Sequence, residues 1–412
     1  MLSFAQARQT VEEHASRLRP QGRERLGLLE SPDRVLAETL VADRDFPPFP
    51  RATRDGYAVR AADLKGLPAT LAVVGEIKAG AEVTVRVGSG EAAAIMTGAP
   101  APAGADAVVM VEDSTRQGDR VEISKGVAVG ENIVPRGAEA KRGEQLLSPG
   151  IRLDAATIAV AASVGKSHLL VYAKPRVAVL ATGDEVVDVD VAPAPQQIRN
   201  SNSYSLAAQI QAAGGEPVLM PIAPDEPEQL RQRIAEGLNA SLLLLSGGVS
   251  AGRYDLVKQV LSECKAEFFI PGVNIQPGRP MVFGRLPGSG GKLSPDHASD
   301  RRYFFALPGN PVSTMVTFQL FARPVVEALA GRTASKLVFL HARLKSEMKT
   351  KTGLQRFLPA VLSGELEQAE VELLPWQGSG DIAATARANC YLVINPGRGR
   401  IEAGEWVPVL LR

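Results

Sequence analysis

The chain has few of the residues that staple or metallate small folds. Its 412 residues include two cysteines, Cys264 and Cys390, and no Cys-x-x-Cys pair. A disulfide framework is excluded, and a structural zinc site of the usual spacing is absent. Both thiols read as small buried apolar residues in a reducing compartment. The four histidines, His14, His168, His297 and His341, show no ligand spacing and carry no assigned chemistry. No apolar run approaches the ~18 residues of a membrane-spanning helix. Met1-Leu2-Ser3-Phe4 lacks the basic-then-apolar shape of a secretory signal. Lys+Arg 46 against Asp+Glu 45 leaves a net charge of +1, so no global field draws nucleic acid or an anionic membrane. Aromatics are only 5% of the chain. Neither a Walker A loop nor a Ser/His/Asp arrangement is present. The expectation is a soluble cytoplasmic protein with no nucleic-acid and no membrane partner.

What is abundant is turn-forming sequence, Gly 39 and Pro 29, over a hydrophobic content of 45% that supports a sizeable core. At about 150 residues per domain the length suggests about three domains. Phe4, Ala7, Val11 and Leu18 fall at helical spacing behind a Ser3/Gln6 capping box, which predicts a helix over 3–18. Ser31 followed by Pro32 predicts a second short helix over 31–41. From Tyr57 to Val134 short apolar segments alternate with Gly-marked turns, a β-rich insertion. Residues 143–168 mix turn and helix and are expected to return to the N-terminal helices. From Lys174 the texture becomes βαβ, with strands at 177–181, 217–220, 242–245, 281–284 and 303–307. Helices are predicted over 201–213, 226–237, 254–264 and 311–329. This alternation implies a parallel or mixed sheet with helices on both faces. A Gly/Ser-rich loop over 287–300 and a small β domain from Leu337 to Arg412 complete the chain.

The loops that end the strands carry the chemistry. Ser246-Gly247-Gly248-Val249-Ser250 and Leu307-Pro308-Gly309-Asn310-Pro311-Val312-Ser313 each follow a strand and open a helix. Glycine lets a ligand approach the backbone, and the exposed N–H groups bind anions. Open α/β sheets bind ligands at the carboxyl ends of their strands. Thr182-Gly183-Asp184-Glu185 ends the first strand there, Asp225 follows the second, and Asp255 lies beyond the Gly-Gly loop. Carboxylates beside anion loops would repel a phosphate unless a divalent cation intervenes, and Mg²⁺ held by one or two carboxylates plus ligand oxygens suits such a site. Taken singly, each acid and each Gly motif is also an ordinary turn.

Six motifs in order make a more specific signal. They are Asp55-Gly56-Tyr57-Ala58, Met96-Thr97-Gly98-Ala99-Pro100, Thr182-Gly183-Asp184-Glu185, Ser246-Gly247-Gly248-Val249-Ser250, Pro277-Gly278-Arg279-Pro280, and Leu307 to Ser313. Together they resemble the molybdopterin molybdenumtransferases, the MoeA family that includes the gephyrin E domain, over essentially the whole chain. The resemblance implies a multidomain α/β fold. Its parts are a discontinuous helical and linker region (1–45 and 141–174) and a β-rich insertion (46–140), followed by a three-layer molybdopterin-binding α/β domain (175–331) and a C-terminal β-barrel (332–412). It implies a homodimer with its site between subunits, and a reaction in which adenylylated molybdopterin and molybdate yield molybdenum cofactor and AMP with Mg²⁺. Molybdopterin adenylyltransferase and apo molybdoenzymes are implied partners.

Carried over by motif, Asp55, Thr97, Glu185, Asp225 and Asp255 are the candidate catalytic residues. Asp55, Glu185, Asp225 and Asp255 are the candidate metal ligands. Thr182, Gly183, Ser246, Gly247, Gly248, Ser250, Pro277, Gly278, Arg279, Pro308, Gly309, Pro311, Ser313 and Ser379 are the candidate cofactor-binding residues. Pro308 and Pro311 would shape the dithiolene and molybdate end. Gly272, Gln276, Leu354 and Pro359 depart from the family pattern and remove positive charge, which Arg279 and Arg356 are candidates to replace. Two other readings of the same features are a molybdopterin adenylyltransferase and a non-catalytic scaffold or carrier that binds the cofactor.

Overall fold

The computed structural model describes residues 1–248, 256–287, 301–334 and 336–412. At its centre is a six-stranded sheet in the order Glu216–Leu219, Arg176–Ala181, Leu242–Ser246, Arg301–Leu307, Val282–Pro287, Glu267–Ile270. The first four strands run parallel. Val282–Pro287 pairs antiparallel with both of its neighbours, Arg301–Leu307 and Glu267–Ile270. Alternate residues of each strand face opposite ways, and the core divides accordingly. Val177, Val179, Leu242, Leu244, Phe305 and Leu307 pack with one cluster. Ala178, Leu180, Leu243, Leu245, Phe304 and Ala306 pack with another. Helices Phe4–Ala15 and Ser201–Ala212 and the helical run from Pro311 to Leu329 cover the first face. Helices Pro227–Gly237 and Leu256–Glu263 cover the second. This is the three-layer arrangement that the βαβ texture predicted.

The first helix forms as its sequence dictates. Ser3 accepts a hydrogen bond from the Gln6 N–H, and the Gln6 side chain answers to Ser3 N, closing the reciprocal box. The predicted helix over 31–41 does not form. Ser31 instead donates its hydroxyl to the Gly27 carbonyl, Asp33 sits at φ 66°, and Val35 and Leu36 bridge to Arg152 and Val171. Tertiary pairing with residues more than a hundred positions away outweighs the local N-cap signal.

The segment from Arg51 to Val134 contributes a second six-stranded sheet built around Gly56–Val59, Ala69–Ile77 and Glu91–Ile95. Gly56 opens strand Gly56–Val59, which pairs antiparallel with Ala107–Met110. A Cβ there would come within 1.8 Å of the Val109 carbonyl oxygen, so only glycine permits the approach. On either side of this sheet the chain returns to itself. Arg23–Gly27 pairs with His168–Tyr172, and Leu40–Val41 with Gln145–Leu147. At the other end of the chain, strands Gln355–Ser363, Glu370–Leu373, Leu340–Leu344, Trp406–Leu411 and Cys390–Ile394 pair successively. The last pairs again with the first, a closed five-stranded barrel with no free edge.

The long C-terminal helix of the α/β region is interrupted. Pro324 has no N–H to offer the Leu320 carbonyl four residues earlier, and Phe318–Ala322 adopts a π-helical turn. Arg8, 7% exposed, reaches in from the first helix and donates to that carbonyl. Its charge is balanced by Glu12 on the same helix. Replacing Arg8 with Met removes a donor from a buried carbonyl, a change worth about 1–3 kcal/mol. Denaturant unfolding of Arg8→Met should show that loss, and Pro324→Ala, which restores an N–H to Leu320, should make it smaller.

Candidate functional site

Three parallel strands end together. Ala181 is in register with Ser246, and Ser246 with Leu307, so the loops that follow emerge side by side. They enclose a cavity of about 350 Å³ lined by residues that include Thr182, Glu185, Ser246, Gly247, Gly248, Gly309 and Pro311. Backbone bonds tie these loops to each other. Thr182 N donates to Ser246 O at 3.0 Å, and Gly247 N to Leu307 O at 3.3 Å. Gly247 has φ 101°, and a Cβ on it would stand 2.6 Å from the Thr182 carbonyl oxygen. The glycine is therefore needed for both its torsion and its size.

Of the predicted acids, Glu185 lines the cavity. Asp225 is fixed close by, its N–H donating to Asp184 Oδ1 at 3.0 Å. Ser250 and Asp255 lie outside the described residues. Gly183 N donates to the Ala223 carbonyl, binding this loop to the one that carries Asp225. Among the described residues, no three His, Cys, Asp or Glu side chains converge into a ready metal cage. A cation at Glu185 would take its other ligands from substrate oxygens and water, the usual habit of Mg²⁺.

Asp55 and Thr97 do not line this cavity in their own chain. They face each other at the ends of neighbouring strands, Gly56 being in register with Ile95. The Thr97 N–H donates to Asp55 Oδ1 at 2.6 Å. That backbone donor, reinforced by the Thr97 side chain, holds the exposed Asp55 carboxyl below its ordinary range. Two motifs 42 residues apart thus form one polar corner.

The C-terminal loop does reach the crevice. Asn310, which lines the cavity, donates its amide to Ser379 Oγ at 2.9 Å, and Val312 N donates to the Ser379 carbonyl at 3.0 Å. Asp381 holds this loop by accepting from Gln377 N and Ala384 N. Ser313 is buried just inside the helix that Pro311 opens. Thr314 behind it donates its hydroxyl to the Pro308 carbonyl. Pro277 and Gly278 do not line the cavity. A Cβ on Gly278 would meet Thr317 and Ser313, so this loop backs the helix that Pro311 begins. Arg279 is exposed and contacts Met1. Arg356 is 7% exposed, and its guanidinium is committed to the Lys351 carbonyl.

Sequence reasoning missed Arg199, Asn200 and Asn202, which also line the cavity. Asn200 caps helix Ser201–Ala212 through Ser203 N. Asn202 donates to Ser246 Oγ at 2.9 Å and to the Gly309 carbonyl at 2.7 Å. An Asn-Ser-Asn run at a strand-to-helix junction was the available signal.

Three family models match the chain. The MoeA N-terminal region (domains I and II) matches residues 2–165. A domain described as a probable molybdopterin binding domain matches 178–328, and the MoeA C-terminal region (domain IV) matches 341–411. A molybdopterin molybdenumtransferase of a Nostoc species is 34% identical over 92% of this chain and 86% of its own length. The Haemophilus influenzae enzyme of the same name is 32% identical over 99% of this chain and 98% of its own length. Among solved structures, a molybdopterin biosynthesis MoeA protein from Pyrococcus horikoshii is 32% identical with a TM-score of 0.70, covering 100% of this chain and 99% of that one.

Two outcomes follow from this geometry. Gly247→Ala should distort the crevice and weaken ligand binding at least tenfold, while the separate barrel and insertion keep their circular-dichroism signature; unchanged affinity in a binding titration would show that Gly247 is not under this constraint. In a ¹³C NMR titration the Asp55 carboxyl should show a midpoint below the 3.8 of an unperturbed aspartate. Thr97→Pro, which deletes the N–H donor, should move that midpoint upward. With a lowered folded value, the Asp55–Thr97 contact stabilises the protein at neutral pH and is lost only as pH falls through that value.

Proposed function

The chain belongs to the MoeA family, and on that premise we propose that it inserts molybdenum from molybdate into adenylylated molybdopterin, releasing AMP. The observation that carries this reading is the strand-end crevice, where Gly247, Gly248, Gly309 and Pro311 meet beside Glu185. A substrate that joins a pterin to a nucleotide through phosphates needs backbone donors for the anion and a polar pocket for the heterocycle. The loops supply both.

The division of work follows from position. Gly247 and Gly248, which carry no side chain, leave room for a phosphate beside the loop, with the Gly247 N–H held by the Leu307 carbonyl and Ser250 in the same loop sequence. Thr182 and Ser246 line the pocket, and Gly183 ties their loop to the Ala223 carbonyl. Pro308, Gly309, Pro311 and Ser313, steadied by Ser379, shape the end where the dithiolene meets molybdate. Pro277 and Gly278 support that helix from behind, and Arg279 beside them does not line the cavity of its own chain. Glu185, with Asp225 and Asp255, would hold Mg²⁺ on the phosphates. Bound there, the cation would neutralise the phosphate charge that builds as AMP departs. The fixed dipoles of the loops stabilise the same developing charge without reorganising.

Asp55 and Thr97 form a polar corner away from the crevice of their own chain. A homodimer in which this corner closes over the partner's crevice places all of them at one site. The insertion segment around 46–140 would then act in trans, while 175–331 binds the pterin and 332–412 contributes Ser379. Residues 1–45 and 141–174 would link the two. A cytoplasmic protein that receives its substrate from an adenylyltransferase and passes product to apo molybdoenzymes fits this chemistry. The crevice and the Asp55–Thr97 corner together favour an enzyme over a scaffold, which has no need of the second acidic corner.

The direct test is AMP release from adenylylated molybdopterin by the purified chain. Release should require both molybdate and Mg²⁺, and Asp55→Ala should lower it by at least tenfold. Tight binding without release would move the assignment to a carrier. A mixture of co-expressed Asp55→Ala and Glu185→Ala chains tests the shared site. Random pairing makes half the dimers mixed, each with one intact composite site, so activity should recover to about a quarter of the parent value. No recovery would place both carboxylates in the same subunit's site.

A further inference from the structure

The Asp55 carboxyl stands in a row that crosses one end of the insertion sheet. Strand Gly56–Val59 pairs antiparallel with Glu91–Ile95 on one side and Ala107–Met110 on the other, with Gly56 opposite both Ile95 and Met110. One step further along each strand, Asp55 lies between Met96 and Val111. The Val111 N–H donates to the Asp55 carbonyl in keeping with that register. Strand Ala69–Ile77 runs parallel to Glu91–Ile95 with Ile77 beside Ile95, so Lys78 extends the row past Met96. The row faces solvent. Met96 is 43% exposed and Val111 51%. Neither Lys78 nor Arg54 has a counter-ion among the described residues, and Arg54 Nη1 reaches only the neighbouring Thr53 carbonyl, at 3.5 Å.

The crevice has a rim of matching character. The paired strands Val186–Val187 and Ile198–Arg199 border it, and Val186 and Ile198 line it. Val187-Asp188-Val189-Asp190-Val191 begins the connection between those strands. Ile198 is 57% exposed, and Val189 and Val191 are exposed beside it in sequence. Asp188 and Asp190 have no cationic partner among the described residues. Single exposed aliphatic residues are ordinary on a protein surface. Here they gather at two places, each beside one half of the motif set. Unpaired bases accompany one group and unpaired acids the other. Both groups stay exposed in the single chain, so they do not cover each other within it.

We propose that the Lys78–Met96–Asp55–Val111 row docks on the Val186–Arg199 flap of a second copy of this chain. Met96 and Val111 pack on Val189, Val191 and Ile198, while Lys78 and Arg54 face Asp188 and Asp190. This rests on the homodimer with a shared site, and it assigns the surfaces that meet in it. The contact brings Asp55 and Thr97 to the mouth of the crevice. It also takes water from around the Asp55 carboxylate, and a charge acts more strongly where solvent is excluded. Opposite charges at the rim fix the register of the two subunits more than they add affinity.

Cross-linking of the full-length protein tests this, in a Cys264→Ser background because Cys264 is the partly exposed native thiol. A chain with Met96→Cys and one tag is co-expressed with an Ile198→Cys chain carrying another, and a short bis-maleimide is added. A species bearing both tags should form. Val129→Cys is the control for the insertion. Val129 is 74% exposed but lies at the other end of the sheet, where Gly130 N donates to the Asp106 carbonyl. It should give no link to Ile198→Cys. Arg54→Glu with Lys78→Glu should lower the Met96–Ile198 yield about threefold or more, and Asp188→Lys with Asp190→Lys in the other chain should restore it. The proposal is overturned by an absent mixed-tag species, by an equal yield from Val129→Cys, or by charge reversal without effect. A link within a single chain that carries both Met96→Cys and Ile198→Cys also overturns it. None of these readouts uses AMP release. Activity recovered by mixing Asp55→Ala and Glu185→Ala chains, with no Met96–Ile198 link, would leave the shared site standing and remove only this docking surface.

Discussion

The common ending of three parallel strands is the constraint on which the crevice depends. Because Ala181, Ser246 and Leu307 stand in register, the loops after them have no choice but to share one edge of the sheet. The register is in turn held by burial on both faces. A slip of one residue would turn Val177, Leu242 and Phe305 from one core cluster toward the other. The loops can then be built from glycine and proline, residues that contribute little to stability, because the strands beneath them are packed on either side. Rigid layers carry an open site, and the cost of that openness is borne away from it.

The other parts are attached in ways that serve this edge. The barrel closes on itself and extends one loop, held by Asp381, so that Ser379 meets Asn310 and Val312. Strand Ile275–Gln276 pairs with Gln355–Ser363, and this joins the barrel to the α/β region on a second side. The insertion is tied differently. Its sheet is flanked by the return pairings of 23–27 with 168–172 and 40–41 with 145–147. That arrangement carries the Asp55–Thr97 corner on a sheet of its own, away from the strand-end crevice of the same chain.

Much of the fold was legible because its signals are local. The Ser3/Gln6 capping box is decided within a few residues, as are the apolar strand runs. The motif loops were legible for the same reason, since glycine and proline announce a required torsion. The losses share the opposite property. Ser31–Val41 carries a helix start, but Val35 and Leu36 bridge to Arg152 and Val171, which no window reveals. The edge strand Glu267–Ile270 is short, and its partner lies across a turn in the antiparallel part of the sheet. The helix over 311–329 was legible as a length, while its π turn over Phe318–Ala322 includes a carbonyl, Leu320, whose donor Arg8 lies 312 residues away. Asn202 was missed because an asparagine near a helix start has an ordinary explanation. Its partners, Ser246 and Gly309, lie 44 and 107 residues on. The departures at Gly272 and Gln276 were legible as an expected loss of positive charge. The expectation that Arg356 replaces it meets a guanidinium already bound to a backbone carbonyl.

The central claim is that the strand-end edge, completed by a second subunit's insertion, is where substrate binds. Amide hydrogen exchange with and without adenylylated molybdopterin tests it most directly. The account predicts new protection at 182–185, 201–202, 247–248 and 309–313, together with protection around Asp55 and Thr97. Protection confined to another surface, with the strand-end loops exchanging as fast as in the free protein, would contradict it.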